Sequence, residues 1–440
     1  MQKKEDLVSK SLKHLGIKSL KEMQEASIRT TDTNDNVILL APTGSGKTLG
    51  FLLPILKRLN PKRKGVQALI ISPSRELSVQ IENVFRAMKT DFKVNAFYGG
   101  HAMKVEKNSL LEPPTVLVGT PGRIAAHIRQ ETFLATSIKT LVLDEFDKSL
   151  ELGFQDDIRY IIQKTPNVYS KIFTSATRSE NIPSFLMMKD PIVLDFLNSK
   201  SASKLRLRAV KATGTDKLQT LIELICKVGG KSTLVFCNHR DAVDRISELL
   251  KEKDVVHDVF HGGLEQHIRE RALIKYRNGS YNVLITTDLA SRGLDIPIIK
   301  NIIHYQLPLS RDAYTHRNGR TARMDANGFS YLVLAEEEPI PDFITEEPEM
   351  IELNESNVMP EPPKWQTLYI SGGKKDKINK IDIVGLLLKK GGLQKDDLGL
   401  IEVLDHSSFV AVNRTKAFKA MMQLKKSKIK KLTVKIALSR

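Results

Sequence analysis

Cysteine is almost missing from this chain. Cys226 and Cys237 are the only two in 440 residues, and they form no metal-ligand spacing, so a disulfide framework and a structural zinc are both excluded. The two thiols read as small core residues. No run of eighteen apolar residues occurs, which excludes a membrane-spanning helix. Met1-Gln-Lys-Lys-Glu-Asp6 lacks the apolar stretch of a secretion signal, and a cytoplasmic protein is expected. Base is missing from Glu336 to Glu361, which holds ten acids and prolines besides, and acid is scarce from Lys364 to Arg440, with six acids against eighteen bases. The net charge of +17 points to a polyanionic partner. Its distribution separates a basic body from a very basic tail by an acidic segment, the best linker candidate.

What is present suffices to fold. Hydrophobic residues make up 41%, and the length is too great for one core, so about three domains are expected. Ala41 to Thr48 reads APTGSGKT between the apolar run Val37 to Leu40 and a helical pattern, the context that a phosphate-binding loop requires. Gly44 and Gly46 let successive N–H groups point at phosphate oxygens, with Thr43 and Ser45 in the same curl, and the helix adds its positive end. Lys47 reaches the terminal phosphates and the Thr48 hydroxyl ligates magnesium. The site is therefore expected to take a nucleotide with Mg2+, which the resemblance drawn below from further motifs implies to be ATP.

Short apolar runs then alternate with helical stretches, which argues for a parallel sheet covered by helices. A second, similar series begins near Leu205 and has no phosphate loop of its own. The expected division is an α/β domain over 1–198, a hinge at 199–204, a second α/β domain over 205–345, an acidic linker over 346–363 and a basic α+β domain over 364–440. Leu141-Val-Leu-Asp-Glu-Phe-Asp147 places two carboxylates at the end of a strand. Asp144 can hold magnesium and Glu145 can orient the attacking water.

With Gln24, Ser175-Ala-Thr177 and His316-Arg-Asn-Gly-Arg-Thr-Ala-Arg323, the chain resembles the DEAD-box RNA helicases of superfamily 2 over nearly all of Leu7 to Leu334. The resemblance implies two tandem RecA-like domains and roles at matching positions. Gln24 reads the adenine edge, and Asp295 contacts the ribose. Arg320 and Arg323 are arginine fingers that neutralise charge on the transferring phosphoryl group. His316 and Arg317 link that site to Asp147, while Ser175 and Thr177 couple hydrolysis to strand separation. RNA contacts are expected from Arg75, Gly99 and Gly100, Thr120, Gly122 and Arg123, Gln266 with Arg269, and Thr287, nearly all to backbone and sugar. The motif reads DEFD where the family has DEAD, and Phe146 is expected to crowd the Ser175–Thr177 stretch.

From Thr367 the pattern becomes strand, helix, strand, strand, helix, strand, the order of an RNA-recognition motif. Tyr369 and Phe409 fall at base-stacking positions, and Lys428, Lys430 and Lys431 suit phosphates. Ser371-Gly-Gly-Lys-Lys375 and Phe409-Val-Ala-Val412 resemble the C-terminal domain of DbpA-type bacterial helicases. That resemblance implies an rRNA hairpin of the large subunit, and pre-ribosomal particles, as partners of a monomer. A non-catalytic ATP-gated RNA clamp and a DNA helicase stay open as alternatives.

Overall fold

The computed structural model describes residues 2–100, 102–178, 182–197, 205–288, 299–321, 327–353, 358–425, 427–430 and 432–439. The hinge expected at 199–204 lies outside them. They fall into two compact units, the first within Met1–Ala202 and the second within Ser203–Ser291 and Ile296–Arg440. No described helix is long and apolar enough to cross a membrane.

The first unit is built on strands β1 (Asn36–Leu40), β2 (Ala68–Ile71), β3 (Val94–Phe97), β4 (Val116–Gly119), β5 (Thr140–Leu143), β6 (Ser170–Ser175) and β7 (Ile192–Asp195). They pair in the order β3-β4-β2-β5-β6-β1-β7, every pairing parallel. Strands such as Ala68-Leu-Ile-Ile71 and Thr140-Leu-Val-Leu143 are buried along their whole length, as they must be when helices cover both faces. One apolar cluster forms on each side, around Phe97, Phe146 and Phe173 on one and around Phe51, Ile55 and Phe85 on the other.

The second unit carries β8 (Leu205–Lys211), β9 (Thr233–Cys237), β10 (His257–Phe260), β11 (Val283–Thr287), β12 (Asn301–His304), β13 (Gly328–Leu334) and β14 (Glu349–Met350). Their order is β10-β11-β9-β12-β13-β8-β14. Counted from its own first strand, each sheet has the same order. The place of β7 is taken in the second sheet by β14, which comes from the acidic segment. That segment is thus no free tether at this point: Ile351 donates its N–H to the Ala209 carbonyl, Glu349 pairs with Arg208 at 2.8 Å, and Ile351, Leu353 and Met359 pack on the core.

The same unit continues into an antiparallel sheet of β15 (Trp365–Ile370), β16 (Leu398–Val403), β17 (Ser408–Asn413) and β20 (Ile436–Leu438), ordered β16-β17-β15-β20. Helices Lys380–Lys390 and Arg414–Leu424 cover one face around Leu368, Val410 and Val412. The element order agrees with the sequence pattern, except that the last strand begins late. A two-stranded ribbon, β18 (Lys428–Ile429) with β19 (Leu432–Thr433), precedes it, because Lys430 adopts a positive φ of 55° and turns the chain.

His304, at the end of β12, is fully buried beside Ser330 and Asn318, with the Arg317 guanidinium at 3.4 Å. Burial first, and Arg317 second, push its pKa down to about 3. A histidine lowered from its unfolded value of about 6.5 stabilises the fold above that pH and loses the contribution as pH falls toward 3. Between pH 7 and pH 5 the second unit should therefore lose about 2 kcal/mol at this position. Urea unfolding at both pH values should show a smaller difference in His304→Gln than in the parent, and equal differences would contradict the assignment.

Candidate ATP and RNA site

The strand order decides what shares a neighbourhood at the carboxyl edge of the first sheet. Strands β1, β6 and β5 are consecutive neighbours, so the phosphate loop, Ser175 and Asp144 emerge together. Binding residues of such sheets collect at this edge. Gly44 and Gly46 take positive φ of 79° and 100°, which an L side chain resists. At Gly46 a Cβ would also lie 2.6 Å from the Gln24 amide nitrogen. The helix Lys47–Arg58 starts at the next residue. Thr43 and Ser45 keep buried hydroxyl oxygens with no hydrogen-bond partner among the described residues, which suits a loop shaped for a polar ligand. Lys47 is buried and donates to the Ala41 carbonyl.

Gln24, expected at the adenine, is buried against this loop. Its amide nitrogen donates to the Gly46 carbonyl at 3.2 Å, and its oxygen accepts from the Lys21 N–H at 3.0 Å. Lys21 in turn donates to the Ser45 carbonyl at 2.8 Å. Lys21 was missing from the sequence reading. Both it and Gln24 brace the loop.

Asp144 and Glu145 follow β5 and are both buried. Glu145 has a left-handed φ of 47°, a conformation that non-glycine residues hold mainly where the surroundings enforce it. Its N–H donates to the Thr174 hydroxyl at 3.2 Å, and that hydroxyl donates to Asp144. Burial and the adjacent Glu145 raise the Asp144 carboxyl to about 7, opposed by Thr174 and Lys47. Glu145 Oε2 is buried without a hydrogen-bond partner among the described residues. An anionic pair so placed fits a divalent cation, which would keep both carboxylates ionised. Among the described residues no group of three His, Cys, Asp or Glu could hold a metal alone. A magnesium ion that arrives with phosphates needs only one or two carboxylates.

The crowding expected from Phe146 does not occur. Its ring is absorbed by the apolar cluster, 5.8 Å from the Phe173 ring, because the left-handed Glu145 turns the first helical residue inward. Asp147 still accepts from the Thr177 hydroxyl at 2.8 Å, and Thr177 N–H donates to Ser175 Oγ at 2.9 Å.

Strands β2, β4 and β3 form the other half of the edge. Ser74 caps the helix Arg75–Ala87, and the Arg75 guanidinium lies so close to Gly99 that a Cβ there would be 3.2 Å from it. Gly100 has φ 105°. Thr120 stands at the N-terminal boundary of the helix Pro121–Arg129, which carries Gly122 and Arg123, without a side-chain capping bond. Glu106 ties these loops together and was not singled out from sequence. Buried, it accepts from Tyr98 N–H at 3.1 Å and Arg123 Nε at 2.5 Å, and lies 2.7 Å from His127 Nε2. Only its burial, invisible in a string of residues, marks it.

In the second unit, Thr287 ends β11, and Gln266 and Arg269 follow β10 on the helix Gln266–Arg277. Gln266 donates to Glu270 at 3.2 Å, and Arg269 covers the Phe260 ring at 5.1 Å. His316 and Arg320 are buried at the end of the helix Arg311–Asn318 and just beyond it. Arg317, expected beside His316 as a link to Asp147, is used inside its own unit. It forks onto Asp288 with two bonds of 2.6 Å and donates to Gln306 and Asn238 at 2.7 Å. Asp295 and Arg323 lie outside the described residues, as does Lys431. Lys428 and Lys430 are exposed on the ribbon, whereas Tyr369 is half-buried and Phe409 buried on the sheet of the tail.

Two parallel sheets of identical strand order, one with a phosphate loop and a buried carboxylate pair and the other with buried arginines, define a two-unit RecA-like nucleotide-dependent motor. Family models agree segment by segment: DEAD/DEAH box helicase over residues 21–185, helicase conserved C-terminal domain over 216–325 and DbpA RNA binding domain over 367–438. The chain belongs to the DEAD-box RNA helicases, enzymes that hydrolyse ATP in response to RNA, and to their branch with a DbpA-type tail. It is 31% identical over 439 residues to the ATP-dependent RNA helicase DbpA of Escherichia coli, covering 97% of this chain and 96% of that one. The Bacillus subtilis DbpA is 28% identical, with 98% and 96% covered. Among solved structures, the fold resembles Saccharomyces cerevisiae Dbp5 bound to RNA and ADP BeF3, with TM-score 0.70 and 24% identity over 78% of this chain and 93% of that one.

Glu106 should position Arg123 without touching RNA. Glu106→Gln keeps an acceptor for Tyr98 but loses the charge that holds the guanidinium. The RNA concentration for half-maximal ATPase should rise roughly tenfold, the scale of a weakened charge-assisted bond, while the rate at saturating RNA is kept. A fall in the saturated rate with unchanged RNA dependence would refute this role.

Proposed function

We propose that the chain is an ATP-dependent RNA helicase that locally unwinds structured RNA, with large-subunit ribosomal RNA in assembling particles as its substrate and residues 364–440 as its address. It acts as a cytoplasmic monomer with working domains at 1–198 and 205–345. The observation that carries the reading is the buried Asp144–Glu145 pair beside the Lys47 loop, with Asp147 bonded to Thr177. Similarity over the full length to DbpA helicases, and the exposed lysines of the tail, support the ribosomal target. The burial of Phe146 in the core favours turnover over the clamp alternative.

The amides of 43–48 and Lys47 would hold the phosphates, Lys47 exchanging the Ala41 carbonyl for phosphate oxygen. Gln24 and Asp295 select adenine and ribose. Thr48 and Asp144 would hold magnesium, which neutralises charge developing on the phosphoryl group. Glu145, held by its strained backbone, orients water. Arg320 and Arg323 would add positive charge to the transferring phosphoryl group. Arg75, Thr120, Arg123, Gln266, Arg269 and Thr287 grip RNA backbone next to the nucleotide half of each sheet, and Ser175, Thr177 and His316 relay between the two.

Lys47→Ala and Glu145→Gln should each abolish RNA-stimulated phosphate release, while Glu145→Gln still binds ATP and RNA, because the amide keeps shape and loses basicity. Full turnover in either purified variant would sink the assignment. Arg320→Ala should slow turnover roughly a thousandfold, on the scale of other arginine fingers. Deleting 364–440, which spares β14, should leave an ATPase activated by any concentrated RNA. Persistence of a preference for ribosomal RNA over a scrambled RNA in that truncated chain would refute the address.

A further inference from the structure

Strand β6, Ser170-Lys-Ile-Phe-Thr-Ser175, is buried except at Lys171. Alternation along it puts Ile172 and Thr174 on one face of the sheet and Phe173 on the other. Ile172 lies with Val142 of the neighbouring β5 in the cluster of Phe51 and Ile55, and Phe173 lies in that of Phe97 and Phe146. Thr174 is 0% exposed. On one side it is in register with Leu39 of β1, the strand that feeds the phosphate loop. On the other side Phe173 pairs with Leu143 of β5, so Asp144 is the next rung, opposite Thr174. Valine has the same shape and would suit apolar surroundings of this kind. What threonine adds is one hydroxyl.

That hydroxyl is used twice. It donates to Asp144 Oδ1 and accepts from the Glu145 N–H at 3.2 Å. With Oδ1 engaged, Oδ2 is the oxygen left to meet a cation. The N–H belongs to the residue whose φ of 47° is left-handed, immediately before the helix Phe146–Glu151. This turn sets where the Glu145 carboxylate stands, and a buried N–H deprived of its acceptor would work against it.

Three residues further on, the Thr177 hydroxyl donates to Asp147 at 2.8 Å. The end of β6 therefore holds segment 144–147 at two points, through Thr174 at the carboxylate pair and through Thr177 at Asp147. Both partners of the second bond stand in motifs that residue order reveals. Thr174 does not, because a threonine inside a buried strand reads simply as a β-former.

We propose that Thr174 is a positioning residue of the ATPase, whose hydroxyl sets the Asp144 carboxylate for the divalent cation of the nucleotide and fixes the Glu145 backbone for the attacking water. It acts through these two groups. The proposal rests on the helicase reading. Removing the partner that orients a metal-binding carboxylate costs roughly 10- to 100-fold in metal affinity or rate, and Thr174 is such a partner to two functional groups at once. Arg75 and Thr120, expected at RNA, follow other strands, so the response to RNA concentration is expected to stay as it is.

The test uses the full chain and two variants. Thr174→Val removes the hydroxyl and keeps the shape, whereas Thr174→Ser keeps the hydroxyl and gives up the methyl. Manganese is titrated into each protein held in excess over a non-hydrolysable ATP analogue, and the free ion is read by electron paramagnetic resonance. Thr174→Val should bind manganese roughly tenfold or more weakly, with its affinity for the analogue in EDTA unchanged. In steady-state assays with excess magnesium its RNA-saturated rate should fall roughly tenfold or more, with the same RNA concentration for half-maximal rate. Thr174→Ser should match the parent in both measurements. Equal manganese affinity and rate in Thr174→Val and the parent overturn the proposal. So does a Thr174→Ser protein as impaired as Thr174→Val, or a Thr174→Val protein that loses the analogue in EDTA, since either marks a role in packing alone. The manganese arm does not read hydrolysis, so a parent that fails to turn over ATP sinks the helicase reading while that arm still judges Thr174.

Discussion

Two carboxylates buried side by side work against the charge on Asp144, and the first unit is arranged around that constraint. Asp144 and Glu145 are buried side by side, and burial already pushes Asp144 toward its neutral form. Thr174 from β6 and Lys47 from the neighbouring loop oppose that shift. A divalent cation would shift that balance further toward the charged form of Asp144.

The same strand order in both sheets divides each carboxyl edge into two halves. In the first sheet, the Lys47 loop, Ser175 and the Asp144–Glu145 pair lie at the ends of β1, β6 and β5, and Arg75, Thr120 and Gly99 follow β2, β4 and β3. The second sheet repeats the plan, with Arg317 and Arg320 after β12 and with Gln266 and Thr287 at β10 and β11. Since β2 lies against β5, Asp144 and Arg75 emerge from neighbouring strands. In the second unit the Arg317–Asp288 fork bonds the loop after β11 to the helix after β12.

Much of this was legible in residue order. The loop at 41–48, the carboxylates after an apolar strand and the element order of the tail each rest on local chemistry, where neighbours in sequence decide the outcome. What was not legible depends on distant packing. Glu106 looked like any helix-surface acid until burial put it against Tyr98, Arg123 and His127. Phe146 looked too large because the turn at Glu145, which sends its ring into the core, has no signature of its own. Tyr369 and Phe409 stood at stacking positions by pattern, and only the fold could reveal that Phe409 is buried and that the Arg271 guanidinium lies 5.7 Å from the centre of the Tyr369 ring. The acids of 336–361 suggested a tether because charge hides a two-residue strand.

That short strand has a further consequence. Without Glu349–Met350, the strand Leu205–Lys211 would present a bare row of amides and carbonyls, a template for another chain to extend. The cover supplied here is acidic, with Glu346, Glu347, Glu349 and Glu352 in or next to it in sequence, and it pairs with Arg208 and Ala209 of that strand. The acidic segment thus supplies an edge strand to a protein otherwise rich in positive charge.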